Sequence, residues 1–342
     1  MTTIDDVARL AGVSTATVSR ALRGLPTVSE ATRARVLLAA EQLRYTASPS
    51  ASQLAGGKTA TVAVIVPRFT SWFVGTALEA AEAVLHQAGY DLLLYKVGGR
   101  EHARQRLLHR ANLPKRVDAV MLVGTAVRAA DLAAIASLAL PGVTVSSGGT
   151  VVPGWPNIRI DDEAAGRTAT DHLLGLGHHR IACVWGDPND DFGHPAHAQR
   201  RHGYHAALAA AGLPPAPELD VPVRADADGG RRATEELLAR AEPPTAIFAT
   251  CDELAMGALH ALRLARRQVP EEVSVIGVDD HDLAHVVGLS TVAQPAAEQG
   301  RLAAATLLAP LAGQPRTAAD LAPVTLPTWL VVRESTGPPP GA

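Results

Sequence analysis

Residues 3–45 read TIDDVARLAGVSTATVSRALRGLPTVSEATRARVLLAAEQLRY, and this stretch sets the organisation of the head of the chain. Thr3 stands where a helix N-cap is needed, with Asp5 and Asp6 in the first turn to complement the helix dipole. Ile4, Val7, Ala8 and Ala11 recur at helical spacing. Gly12 then supplies a tight turn, and Ser14 caps a second helix on which Val18, Ala21 and Leu22 share a face. Thr15, Ala16, Ser19 and Arg20 fall towards the other face. Small residues beside an arginine suit insertion into a major groove, where arginine reads guanine edges. A third helix runs from the cap at Ser29 to about Leu43 and is expected to bury Val36, Leu37, Ala40 and Leu43. An ordinary three-helix bundle with a solvated Arg20 has the same periodicity.

Charge is unevenly spread. The 342-residue chain carries a net charge of −3. Residues 1–58 hold seven Arg or Lys against four Asp or Glu, a net of +3, which leaves −6 for the remainder. The basic head fits a polyanion and the acidic body does not. Hydrophobic residues make up 47% of the chain and aromatic residues only 4%, so its cores must be built from Ala, Val and Leu. Cys183 and Cys251 lie in or beside apolar runs and read as buried free thiols. The head enters a polar helix directly, and no apolar run is long enough to span a bilayer, so a cytoplasmic protein without a membrane partner is expected.

Beyond residue 60, strands alternate with helical segments. TVAVIVP (61–67), YDLLLYKV, DAVMLVG and GVTVSS are strands, and helices are expected between them, including one near 101–112. NIRID (157–161) opens a second series that runs through RIACVWG, residues 219–223, TAIFAT and VSVIGVDD, each followed by a helix except the last. This order implies parallel sheets in two doubly wound α/β lobes, with a cleft at the carboxyl ends of their strands.

Some motifs mislead. GGKT (56–59) lacks the upstream glycine of a phosphate loop, because that position is Ser52. GLGHHR (175–180) follows a helix and precedes a strand, so it reads as a helix C-cap rather than a dinucleotide fingerprint. His194, His197, His202 and His205, near Asp190 and Asp191, follow no metal-ligand spacing and read as solvated or packing residues. No metal, cofactor or catalytic constellation is assigned.

GVSTATVSRAL, followed by TVSEATRARV and Tyr45, resembles the recognition segment of the lactose-repressor/galactose-repressor (LacI/GalR) family of bacterial transcription regulators. The resemblance continues through VDAVMLVG, DDEAAGRTATDHLLGLGHHRIACVWG, RRHGYHAALAAAGL, PTAIFATCDELAMGAL, VPEEVSVIGVDD and LPTWLVVRES. It implies an all-α helix-turn-helix headpiece at 1–46, a hinge helix and linker at 47–60, and a two-lobe, periplasmic-binding-protein-like body at 61–336. Lobe one would span about 61–160 plus 293–324, and lobe two about 161–292 plus 325–336, with three crossings between them. Residues 337–342 are expected to be disordered.

The resemblance also implies site residues. Thr15, Ala16 and Arg20 would contact bases, and Ser14, Thr17 and Ser19 the phosphate or sugar. Ala51 and Leu54 would belong to the hinge, with Leu54 wedged into the minor groove of a pseudopalindromic operator. The usual Pro-Asn after the tyrosine is Ala47-Ser48 here, and a frequent arginine is Ser52. Arg200 and Asp279 match effector-contacting positions, and Asp161 begins the segment after a crossover. The family's Asn-Asp after TAIFAT is Cys251-Asp252 here. Trp72, Phe73 and Trp185 lie at or just after strand ends, where rings could stack on an effector or simply pack a core. Asp252 and Asp279 could equally be helix caps. The implied function is a homodimeric, DNA-binding regulator, most simply a repressor, controlled by a sugar or nucleoside-like effector and not an enzyme. A transport-type sugar-binding protein and a sugar-processing enzyme remain the alternatives.

Overall fold

The computed structural model describes residues 2–22, 24–45, 58–97, 113–148, 151–187 and 194–341. The expected hinge helix and the expected helix near 101–112 lie outside them. In the head, α1 (Ile4–Ala11), α2 (Thr15–Leu22) and α3 (Glu30–Gln42) form around short caps. Thr3 and Asp6 cap each other's backbone, and Gly12 ends α1 at φ 64°, the left-handed conformation that glycine adopts without strain. The Ser29 hydroxyl accepts the Thr32 N–H at the start of α3. Val7, Val18 and Val36, all fully buried, meet Ala8, Ala11, Ala21, Ala39 and Ala40 in one small core. Leu37, expected inside, is 50% exposed. The turn of α3 that points Val36, Ala39 and Ala40 inward rotates Leu37 outward, and Ala39 takes its place.

The remainder is built from two six-stranded sheets. The first has the order β11-β5-β4-β3-β1-β2 and is wholly parallel. Its strands are β1 (Thr61–Val66), β2 (Asp91–Lys96), β3 (Ala119–Val123), β4 (Gly142–Val145), β5 (Asn157–Ile160) and β11 (Val324–Leu326). The second has the order β12-β10-β9-β8-β6-β7. It comprises β6 (Ile181–Gly186), β7 (Asp220–Val223), β8 (Ala246–Ala249), β9 (Ser274–Asp279), β10 (Ser290–Ala293) and β12 (Trp329–Val331). Only β12 runs antiparallel to its neighbour. The apolar runs Val62–Val66 of β1, all of β3 and β8, and Val275–Val278 of β9 reflect burial on both faces.

Helices cover the sheets. The first lobe carries α4 (Trp72–Gln87), α5 (Ala129–Ser137) and α10 (Ala296–Leu311). The second carries α6 (Asp162–Gly175), α7 (Pro195–Ala210), α8 (Ala227–Leu238) and α9 (Asp252–Leu264). The chain passes between lobes after β5, after β10 and between β11 and β12. The first sheet keeps the chain to Leu326, which pairs with Ile160, two residues beyond the expected crossing.

Gly337, the first residue of the tail expected to be disordered, is hydrogen-bonded to the second lobe. The Gly337 carbonyl lies 2.9 Å from His178 Nε2 and accepts from the Ser274 hydroxyl, while its N–H donates to the same hydroxyl. Ser335 donates to the Val275 carbonyl and accepts the Ser290 N–H. Polar groups on β9 and β10 thus hold Ser335 and Gly337, a long-range effect that the local sequence does not show.

Helix pairs dock backbone to backbone. A Cβ on Gly203 of α7 would lie 2.0 Å from the Glu163 carbonyl of α6, one on Gly257 of α9 2.0 Å from the Ala227 carbonyl of α8, and one on Gly300 of α10 1.9 Å from the Ala77 carbonyl of α4. Gly203→Ala should therefore destabilise the protein by about 1–3 kcal/mol, although alanine is the better helix former. Gly75→Ala on α4, where nothing lies within 4 Å, should stabilise it by about 0.5–1 kcal/mol. Urea unfolding of both variants checks the pair of signs.

Candidate DNA-reading face and ligand cleft

On α2, Val18 and Ala21 turn into the head core, while Ser14, Ala16 and Arg20 are exposed and Thr15, Thr17 and Ser19 are half-buried. Ser14 Oγ accepts the Thr17 N–H at 3.2 Å and sits 2.9 Å from Thr17 Oγ1. Two hydroxyls are thus fixed at a helix N-terminus, beside N–H groups that suit phosphate oxygens. Arg20 lies one and a half turns on, its side chain in solvent. Ala51 and Leu54 lie outside the described residues.

In the two-lobed unit, the segments that follow β1, β6, β7, β8 and β10 meet the end of β9 around a cleft with about 40 Å³ of enclosed free volume. Its lining includes Arg68, Trp72 and Phe73 from the first lobe, with His194, His197, Arg200, Cys251, Glu253 and Asp279 from the second. Arg200 is the centre of its charge. The side chain is 3% exposed and donates to Asp162 at 2.9 Å, to the Thr250 carbonyl at 2.7 Å and to Asp279 at 3.3 Å. Burial works against its charge, but Asp162 and Asp279 outweigh it and hold the guanidinium more firmly protonated than usual. Burial also pushes Asp279 up to about 6, against the pull of Arg200 and a hydrogen bond from Gln294 at 2.6 Å.

Four of the seven expected effector residues, Trp72, Phe73, Arg200 and Asp279, line this cleft. The other three do not. Asp161 is the N-cap of α6 and accepts the Ala164 N–H at 3.0 Å. Asp252 is fully buried beneath the cleft; it accepts from Thr291 Oγ1 at 2.7 Å and from the His281 N–H at 2.8 Å. Burial, reinforced by the neighbouring charge of Asp279, raises its carboxyl to about 7. A Cβ at Gly277 would meet its Oδ1 at 2.0 Å, so Asp252 packs on β9, outside the cleft lining. Trp185 has the Arg201 guanidinium 4.6 Å above its ring, on the side of β6 that α7 covers.

The four histidines separate. His202 is exposed, 3.8 Å from Glu163, and His205 lies 2.9 Å from Asp220. His194 and His197 enter the cleft. His194 stacks edge-on against Phe73 and His197, each at 5.8 Å. Burial, then the charges of Arg200 and Arg68, lowers it to about 3. His197 Nδ1 is 2.8 Å from Thr250 Oγ1, and burial holds it well below the usual imidazole range too. Among the described residues no cluster of three or more His, Cys, Asp or Glu could hold a metal. Both cysteines are buried free thiols, and burial raises both. Arg68, His194 and Glu253 were not read from the sequence as cleft residues. They converge only through contacts more than 100 residues apart.

The buried imidazole fixes a pH dependence. His197 refuses a proton that the unfolded chain accepts below the ordinary imidazole value of 6.5. Its contribution is present above pH 6.5 and is lost as pH falls, by about 1.4 kcal/mol per pH unit. Asp252 and Asp279, both raised, act oppositely between about pH 4 and 7. Comparison with His197→Asn isolates the histidine. The stability of wild type relative to this variant should fall as the pH drops from 6.5 to 5, measured by urea unfolding.

The profile of the bacterial regulatory proteins, lacI family, matches residues 3–48, and that of the periplasmic binding protein-like domain matches residues 170–336. The HTH-type transcriptional regulator DegA of Bacillus subtilis is 32% identical over 343 residues, covering 98% of both chains. The crystal structure of the lac repressor dimer bound to operator and an anti-inducer is 25% identical with a TM-score of 0.81, covering 98% of this chain and 99% of that one. A LacI family regulator from Enterococcus faecium with bound ribose is 28% identical with a TM-score of 0.70, covering 81% and 99%. Full-length similarity to regulators sets aside the transport-protein and enzyme readings. With its three-helix head, its two parallel-sheet lobes and relatives matched from end to end, the chain belongs to the LacI family of bacterial DNA-binding transcriptional regulators.

Proposed function

We propose that this regulator is a cytoplasmic homodimeric repressor whose operator affinity is set by a small, hydroxyl-rich ligand, a sugar or nucleoside, held between its lobes. One observation carries the ligand reading. Arg200 and Asp279 stand in the cleft beside the rings of Trp72 and Phe73. Hydroxyls need hydrogen-bond partners at the edge of a sugar, and its C–H face needs a flat apolar surface; this combination offers both. The bound ribose of the Enterococcus faecium relative supports the same chemistry. In this reading residues 1–46 bind DNA, residues 47–60 form a hinge with Ala51 and Leu54 at the minor groove, and residues 61–336 bind ligand and dimerise. Ser14, Thr15, Ala16, Thr17, Ser19 and Arg20 form the reading face. Asp161, Asp252 and Trp185 support the body rather than the ligand.

Two measurements test this. Arg20→Ala should cost about 1–3 kcal/mol on the cognate operator and flatten base preference at one position of each half-site. Gel shifts with single-base operator variants report both effects. Equal weakening on every sequence would assign Arg20 to phosphate alone. Calorimetry of the cleft ligand, with and without operator, should give affinities that differ by a coupling of about 1–3 kcal/mol, matched by an equal change in operator affinity when ligand is present. Identical ligand affinities in both titrations would remove the coupling.

A further inference from the structure

One end of the cleft has the form of an anion site, and the protein fills it itself. Helix α4 starts at Trp72, and Ser71 at its N-cap makes no side-chain capping hydrogen bond. The Trp72 N–H instead donates to Glu253 Oε1 at 3.1 Å. Arg68 Nη2 donates to Glu253 Oε2. Glu253 belongs to α9 of the opposite lobe and lies 181 residues from Trp72 along the chain. The two paired side chains are only 12% and 20% exposed. A helix N-terminus joined to a guanidinium is an arrangement that binds phosphate and carboxylate groups.

The other charges of the cleft are matched as well. Arg200 is held by Asp162 and Asp279, and the two imidazoles are neutral. The polar atoms left over are uncharged. Trp72 Nε1 and His194 Nε2 are buried in the cleft lining without a hydrogen-bond partner among the described residues. A donor N–H and a neutral imidazole nitrogen suit hydroxyl groups, and neither stabilises an anion in a desolvated site as a cation does.

We infer that Glu253 is the specificity-determining residue that makes this cleft take an uncharged hydroxylated ligand and reject phosphate esters and carboxylates. It occupies the anion-binding end of the site as an intramolecular anion. This deepens the ligand reading above and rests on it. An incoming phosphate would have to displace Glu253 from both Arg68 and α4 and would then face the freed carboxylate.

Thermal unfolding of the full chain in inorganic phosphate, against chloride at matched ionic strength, tests this. The wild type should respond only as far as phosphate stabilises proteins nonspecifically. Glu253→Gln should gain a phosphate-dependent rise in Tm, with apparent affinity higher by roughly tenfold or more. Arg68→Met in the same background should abolish the gain. Equal phosphate responses in wild type and Glu253→Gln, or a gain that survives Arg68→Met, would overturn the inference. The wild type alone gives a second reading, from nucleosides and pentoses compared with their phosphate esters. Stronger stabilisation by any ester than by its neutral parent would also overturn it. Neutral ligands that bind independently of Arg200 would instead overturn the placement of the ligand site and leave the Glu253 result standing.

Discussion

The buried Arg200 guanidinium is the contact on which the ligand end of the second lobe depends. From α7 it reaches Asp162 at the start of α6, the Thr250 carbonyl after β8, and Asp279 at the end of β9. Asp279 in turn accepts from Gln294 at the second crossing, and Gln294 accepts from Gln299 on α10. One cation thus ties two strand–helix junctions, the end of β9 and the connection to the other lobe into a single network. Removing one member of a buried ion pair costs about 3–5 kcal/mol, because the partner is left charged and desolvated. Here two carboxylates would be stranded together. Asp279 also holds a φ of 136°, a backbone state that non-glycine residues keep only where the surroundings enforce it.

Much of this structure is legible in the sequence because its causes are local. Thr3, Gly12, Ser14 and Ser29 punctuate the head helices, and each acts within four residues. The alternation of strand and helix is likewise a short-range pattern, and it gave two parallel-sheet lobes. Arg200 and Asp279 were readable because they follow recognisable segments. Trp185 was misplaced because a position near a strand end does not say which face the side chain takes. Asp252 was misplaced because its partners, Thr291 and His281, are reached only through the fold. Leu37 was misread by one step of the helical register.

Three residues that the sequence did not place in the cleft share one property. Arg68, Glu253 and His194 act across the gap between lobes, and no spacing announces such partners. His194 crosses closely enough that a Cβ on Gly124 would stand 2.7 Å from its Nε2. Trp72 crosses too, stacked on His281 at 5.5 Å. The cleft is therefore defined as much by what spans it as by what lines it.

The glycine contacts between helices have a mechanical consequence. At Gly203, Gly257 and Gly300 neighbouring backbones touch with no side chain between them. Close-packed backbone yields little under load. Each lobe then behaves as a stiff lever, and a change in the angle between lobes is not absorbed inside either one. In a chain with so few aromatic residues, stiffness comes from the absence of side chains rather than from their bulk.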